Sequence, residues 1–385
     1  MHDKICNALT PEAKCLWFLC RKFFFTLNVA EKDGESYQCP GYDRCYHHLM
    51  YMGRLFMLDT MHRTALTRAR MPRALEVYSN TWTHIARTPK GMWGWGYSEL
   101  GQLGFQSSGF VDPTRLTFPA CPKVAKLEAS LPPWEKHRVV TGVSLIRART
   151  FIFTPVGTVM AGADAKAFVG TVEDENRHLF HPVAVPAGFV PDHIMHAWNS
   201  AVILSMGDRQ MISGDNEYGR LGLGHENEMT GFVEPAFRVD RIIAFEFDFN
   251  VFLSGRQLLF AGELPFHIAR TGLLPEYSED ARCLTATPLR FPEKVKGFHC
   301  EDFLLWVTEG RTHLCHYNKQ YCVPFEAAFG ARLANGDWVD SFRDSTGQWF
   351  SVGSVTDGVA TMVQCEVPSS QWEIAPVDVD PWTEQ

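Results

Sequence analysis

Gly91-Met92-Trp93-Gly94-Trp95-Gly96-Tyr97-Ser98-Glu99-Leu100-Gly101-Gln102-Leu103-Gly104 sets five glycines among aromatic and aliphatic residues. That pattern suits neither an amphipathic helix nor a polar linker. It predicts a turn at Gly91, a short strand through Trp93 and Trp95, and tightly turned backbone at Gly101 and Gly104, where glycine takes φ > 0 without a Cβ clash. A second copy follows at Met211-Ile212-Ser213-Gly214-Asp215-Asn216-Glu217-Tyr218-Gly219-Arg220-Leu221-Gly222-Leu223-Gly224. Both read as apolar strand, glycine, four residues, then Gly-(Gln/Arg)-Leu-Gly. The signature positions are Gly91, Trp93, Gly94, Trp95, Gly96, Gly101, Leu103 and Gly104, then Gly214, Gly219, Leu221, Gly222 and Gly224. Recurrence, with no Lys-Ser/Thr alongside, makes the stretch architecture rather than a phosphate cradle.

Outward from these copies the same hairpin unit returns. Thr81–Ala86 leads to Gly91, and Trp198–Met206 leads to Gly207. Phe151-Ile152-Phe153 leads to Gly157, Val251-Phe252-Leu253 to Gly255, and Phe303–Val307 to Gly310. Trp349–Val352 leads to Gly358, and Phe23–Leu27 leads to Gly34. Each is an apolar run, a turn closed by glycine, and a second apolar run, which is a hairpin pattern. The seven turn glycines, 34, 91, 157, 207, 255, 310 and 358, stand 48 to 66 residues apart. Further apolar stretches at Val139-Val140, Ile242–Phe245 and Val295 bring each unit to about four strands. The fold class expected is all-β, a seven-bladed β-propeller of four-stranded blades over residues 1–367.

Outside this pattern lie two segments. Arg54–Ala74 carries five arginines, 54, 63, 68, 70 and 73, against the single acid Asp59. It reads as a helical, solvated connector rather than a basic docking patch. Residues 368–385, with Pro376, Pro381 and four acids, read as an irregular acidic tail. Ring closure is expected between strands near Trp17–Leu27 and Val359–Val367.

The 385 residues are 45% hydrophobic and 13% aromatic, ample for a packed core, and the net charge of −8 is spread along the chain. That balance argues against an electrostatic nucleic-acid binder. Eleven cysteines without paired spacing point to a reducing compartment. Acids among the first residues argue against a targeting leader, and no uncharged stretch reaches the ~20 residues of a membrane span. The expectation is a soluble, intracellular protein, in cytoplasm or nucleus.

No Trp precedes Asp and no Gly-Gly pair occurs, so the fingerprints of two common propeller types are missing. Gly94–Gly104 and Ser213–Gly224 instead resemble the signature of the regulator-of-chromosome-condensation repeat family. The resemblance implies a seven-bladed propeller, and is specific in the second and fourth units. Ala161-Gly162-Ala163-Asp164 and Ala261-Gly262-Glu263 are worn versions. The family includes exchange factors for Ran-type small GTPases, a plant UV-B photoreceptor, and interaction modules of larger assemblies. The basic N-terminal tail of chromatin-bound members is missing here. So is the Gly-Trp-Arg-His-Thr run of the photoreceptor, since no Trp precedes Arg.

Chemistry is sparse. Cys39, Cys45, His47 and His48 cluster, as do His313, Cys315, His316 and Cys322, but neither group has structural-zinc spacing. Nucleophile-elbow, phosphate-loop and zincin motifs are absent. No catalytic residue, cofactor or metal is therefore expected. The reading is a non-catalytic scaffold whose partners are proteins, with guanine-nucleotide exchange on a Ran-type GTPase as the alternative. Partner contacts are expected on loops such as Gln106–Lys123 and Pro265–Pro292.

Overall fold

Antiparallel meanders make up the first of two units. The structure is a computed structural model. It describes residues 10, 37–38, 46–51, 53–59, 67–80, 82–197, 201–316, 319–332, 339–368 and 370–383. The first sheet runs β1 (Tyr37–Gln38), β2 (Tyr46–Tyr51), β3 (Arg54–Asp59) and β4 (Thr67–Arg68). The second is β5 (Glu76–Ser79), β6 (Thr83–Thr88), β7 (Gly91–Tyr97) and β8 (Phe110–Arg115). The third is β9 (Gly142–Ile146), β10 (Arg149–Thr154), β11 (Gly157–Gly162) and β12 (His181–Pro182). This unit comprises residues 1–165, 171–183 and 188–190.

The second unit takes residues 166–170, 184–187 and 191–385. It opens with a three-stranded sheet, β13 (His193–Ala197), β14 (Ala201–Met206) and β15 (Arg209–Gly214). A four-stranded sheet follows, β16 (Arg241–Phe245), β17 (Phe249–Ser254), β18 (Gln257–Glu263) and β19 (Arg282–Pro288). Then come β20 (Val295–Cys300), β21 (Leu304–Thr308), β22 (Arg311–His316) and β23 (Lys319–Val323). A last run holds β24 (Phe329–Arg332), β25 (Val339–Arg343), β26 (Trp349–Thr356) and β27 (Val359–Gln364). One parallel bridge, Cys322 to Val359, joins β23 to β27.

The middle strands are buried almost throughout, as in Ala201-Val202-Ile203-Leu204 of β14. Both faces of such a strand are covered, so its sequence is a continuous apolar run instead of an alternation. One core packs Ile85 and Met92 of the second sheet on Ile152 and Val159 of the third. Helix α1 (Pro122–Ser130) adds Val124 to that core. Further cores link β16–β19 to β20–β23, and β20–β23 to β24–β27. Fully buried Trp95, Phe151 and Phe252 each stabilise by about 1.5–3 kcal/mol over exposure.

The hairpin glycines 91, 157, 207, 255, 310 and 358 all turn with positive φ between paired strands. Gly34 and the strands expected at Trp17–Leu27 lie outside the described residues. In the first sheet a described hairpin turns at Gly53, φ 72, between β2 and β3.

Two expectations are corrected. The described residues of the stretch 54–74 are not helical: they contain β3 and β4, with Leu55 and Met57 buried on one strand face. A run this short fits helix and strand equally, and cross-strand pairing decided it. The acidic tail is not irregular either. β28 (Gln371–Glu373) pairs with β24, and β29 (Ala375–Val379) pairs with β20. Pro376 is tolerated because β29 is an edge strand, where a missing N–H costs no ladder bond. Ile374 and Val379 enter the core, while Asp378 and Asp380 pair with Arg256. The stretches expected as partner loops also hold regular structure, namely β8 and β19. No helix among the described residues is long and apolar enough to cross a membrane.

Candidate protein-interaction site

Each signature copy folds around one polar side chain, two residues beyond Gly96 in the first and beyond Gly214 in the second. In the first copy, Ser98 Oγ accepts from Leu103 N at 3.1 Å and donates to Phe105 O at 2.6 Å. In the second, Asn216 Oδ1 accepts from Leu221 N at 3.1 Å and Nδ2 donates to His225 O at 2.8 Å. Leu103 and Leu221, fully buried, plug separate cores. Trp95 is buried and stacks on His84, while Trp93 is half-buried in the same cluster.

Gly96, Gly162, Gly214 and Gly262 all close hairpins opposite Thr83, Arg149, Ala201 and Phe249. At Gly96 a Cβ would stand 2.2 Å from Trp82 O, on backbone with φ 104. Gly101 and Gly104 lie under His178 and Phe180, and Gly219 and Gly222 under Leu284 and Ala286. Gly94 leaves room for Leu103 and Leu116, while Gly91 and Gly224 turn with positive φ. The signature glycines are placed by close packing and turn geometry.

The residue after Gly101 in one copy and after Gly219 in the other differs, and that difference builds a site. Gln102 stays in its own sheet, donating to Thr83 Oγ1 at 3.4 Å. Arg220, only 4% exposed, reaches the β16–β17 turn: Nη1 donates to Phe247 O at 2.5 Å and Glu246 O at 3.2 Å. Asp215 pairs with its guanidinium, and Asn250 Nδ2 donates to Arg220 O at 2.8 Å.

That turn presents Phe247, 65% exposed, between Glu246 and Asp248. The ring of Tyr218, a non-glycine residue at φ 62, meets Phe247 edge-on at 6.1 Å. Arg282 lies over Tyr218 at 5.3 Å. Phe245 is exposed as well. Glu301 and Asp302, from the β20–β21 turn, extend the acidic surface, with Arg332 3.5 Å from Glu301 and 3.3 Å from Asp302. Burial, followed by the charges of Glu301, Asp302 and Asp248, pushes the Glu246 carboxyl up to about 7. His299, whose Nε2 stands 3.8 Å from the Glu301 carboxylate, and Arg332 hold that carboxyl below its usual range. An exposed aromatic ringed by carboxylates can bind a cationic side chain on the ring face and on the acids together.

This site was not among the sequence expectations. Its signal was Phe245-Glu246-Phe247-Asp248-Phe249, an acid–aromatic alternation that looks like strand. Only pairing places residues 246–248 in a turn.

Of the two His–Cys clusters in the sequence, the first is only partly described and the second is divided. Cys39 and Cys45 lie outside the described residues, whereas His47 and His48 fall on β2. His313 Nδ1 meets Cys322 Sγ at 3.2 Å, and its ring stacks on Trp306 at 4.7 Å. Cys315 is buried elsewhere in the core, beside β16–β20 residues. Among the described residues no group of three or more His, Cys, Asp or Glu is placed to hold a metal ion. Burial raises the thiol pKa of Cys121 to about 12 and that of Cys300 well above normal, so neither is a ready nucleophile.

No protein-family model matches the sequence, and no curated protein matches it. Among solved structures the chain is similar to human WBSCR16, at 15% identity and TM-score 0.45 over 80% of this chain and 86% of that one. It is also similar to Prp20p of Saccharomyces cerevisiae, characterised with its binding to Gsp1p and histones. That match has 12% identity and TM-score 0.39, over 70% of this chain and 69% of the other. Yeast RCC1 (Prp20) bound to Kap60 matches at 13% identity and TM-score 0.40, over 70% and 67%. Likeness at this level says nothing of its partners or activity.

Proposed function

We propose that this chain is a seven-bladed propeller of the regulator-of-chromosome-condensation type that acts as a non-catalytic protein-interaction module. The observation that carries this reading is the Phe247 turn. A large ring held exposed by a buried arginine, between carboxylates, has no role in the core. Exposed aromatics of this kind anchor protein interfaces, and the surrounding acids select a cationic contact. The second signature copy then serves two ends: Leu221 packs the unit while Arg220 and Tyr218 shape the site.

Quantitative affinity capture from cell extract, comparing the full chain with Phe247→Ala, tests the reading. A protein recovered in stoichiometric amount by the wild type and lost with the variant supports it. An identical set of captured proteins overturns it. A fluorescent-nucleotide release assay against a panel of Ran-type GTPases addresses exchange. Clear acceleration of GDP loss would replace the purely non-catalytic role with exchange activity.

A further inference from the structure

The first unit holds a cleft of about 770 Å³ lined by Arg68, Arg70, Arg73, Lys90 and Trp93, with Met71, Pro72 and Pro89 between them. The cations come from two segments, the chain leaving β4 and the β6–β7 turn. All four are exposed at the cleft. Among the described residues none of them has an acidic partner, and the neighbouring acids are engaged elsewhere. Glu76 pairs with Arg87 at 2.8 Å, and Glu128 with Arg115 at 2.9 Å. Four positive charges thus face one open volume beside an indole ring and two prolines.

We propose that this cleft binds an acidic polypeptide segment. Its size falls in the range of ligand sites, about 300–1,000 Å³. Guanidinium forks match carboxylates in bidentate fashion, which favours carboxylate-bearing side chains. Four cations exceed what one carboxylate or phosphate neutralises, so the occupant carries several negative charges. Pro72, Pro89 and Trp93 supply apolar wall for the aliphatic parts of a peptide. A nucleic acid fits less well. The chain carries −8 net charge, which repels a long polyanion, whereas a short segment feels chiefly charges within about 8 Å. Strand-binding grooves also use successive aromatic platforms, and Trp93 is the single aromatic in this lining. The proposal is independent of the Phe247 site, which lies in the other unit and selects the opposite charge.

Fluorescence anisotropy on the full chain tests it with three labelled probes. They are a short Glu-rich peptide containing Leu and Pro, its Gln-for-Glu counterpart, and a single-stranded oligonucleotide of equal charge. The expected result is binding of the Glu peptide that weakens with added salt, and about tenfold or weaker binding by an Arg68→Glu/Arg70→Glu variant. Lys90→Glu, on the other segment, should weaken it in the same direction. Circular dichroism melts establish that both variants fold. If the double variant does not fold, Lys90→Glu alone decides. Undiminished binding by the folded variants, equal affinity for the Gln peptide, or tighter binding of the oligonucleotide overturns the proposal. Phe247→Ala should leave this binding unchanged, which separates failure here from failure of the interaction-module reading.

Discussion

The guanidinium of Arg220 holds the main chain of Phe247: Nη1 donates to the Phe247 carbonyl oxygen at 2.5 Å. A repeat position that carries glutamine in one copy carries in the other a cation that fixes the neighbouring sheet's turn. Arg220→Gln should therefore cost about 1–3 kcal/mol, since it removes charge-assisted hydrogen bonds from a buried guanidinium to the part-buried carbonyls of Glu246 and Phe247. It should also weaken partner capture as strongly as Phe247→Ala does. Chemical denaturation and capture of the same variant check both. Wild-type capture by a folded Arg220→Gln protein would remove the positioning role.

Three glycine substitutions separate backbone strain from steric approach. At Gly157, φ 130 with open space around it, alanine should cost only the left-handed penalty, about 1–2 kcal/mol. Gly96→Ala adds a Cβ placed 2.2 Å from Trp82 O, so its loss should clearly exceed that of Gly157→Ala. Gly109 has neither positive φ nor a neighbour within 4 Å. There alanine should be neutral or stabilise by roughly 0.4–1 kcal/mol through the unfolded chain. Urea midpoints at constant m-value give the order directly.

Hairpins were legible where glycine turns separated strands buried on both faces, because Gly91, Gly157 and Gly255 punctuate unbroken apolar runs. Strand β3 was missed because Leu55-Phe56-Met57-Leu58 is too short to show a period and sits among arginines. The tail misled for a different reason. Its prolines and acids read as irregular chain, yet Asp378 and Asp380 are partners of Arg256, far away in sequence. The candidate site was hidden because acids alternating with phenylalanine obey strand periodicity. Only the register of β16 against β17 turns Glu246, Phe247 and Asp248 out of the ladder.

The tail's hold on the second unit can be divided between core and surface. Val379 is 1% exposed and pairs opposite Val295, so Val379→Ala should cost about 1–3 kcal/mol. The Arg256 ion pairs with Asp378 and Asp380 are solvent-exposed, so Arg256→Ala should change stability much less and lose its effect at high salt. Equal losses from the two variants would show that the tail is held by charge.

Two groups of the second unit set opposing limbs of the pH–stability profile. His267 is buried, and burial, reinforced by His316, lowers its pKa from 6.5 to about 4. Between these values the unfolded chain binds a proton that the folded chain refuses. Stability therefore falls as pH drops from 6.5 toward 4, by up to about 3 kcal/mol. Glu246 works the other way. Its folded carboxyl keeps a proton up to about 7, against an ordinary value of 4.5. Stability then falls as pH rises from 4.5 through 7, by about 1 kcal/mol after solvent screening of a half-buried group. His267→Gln should flatten the acid limb and Glu246→Gln the neutral one, measured by denaturation at stepped pH. Unchanged slopes in either variant would assign that limb to other groups.

Tyr218 sits at φ 62, where an L-residue is strained and glycine is not, and its ring meets Phe247 at 6.1 Å. Strain of this kind persists where function needs a side chain in place. Tyr218→Gly should fold with undiminished or raised stability, because the backbone cost disappears and the lost ring is only half-buried. The same variant should lose partner capture, while Tyr218→Phe, which keeps the ring, should retain it. A Tyr218→Gly protein that captures its partner fully would detach this residue from the site and leave Phe247 to act alone. A marked fall in its stability would mean instead that the ring's packing on Phe247 and Arg282 outweighs the backbone strain.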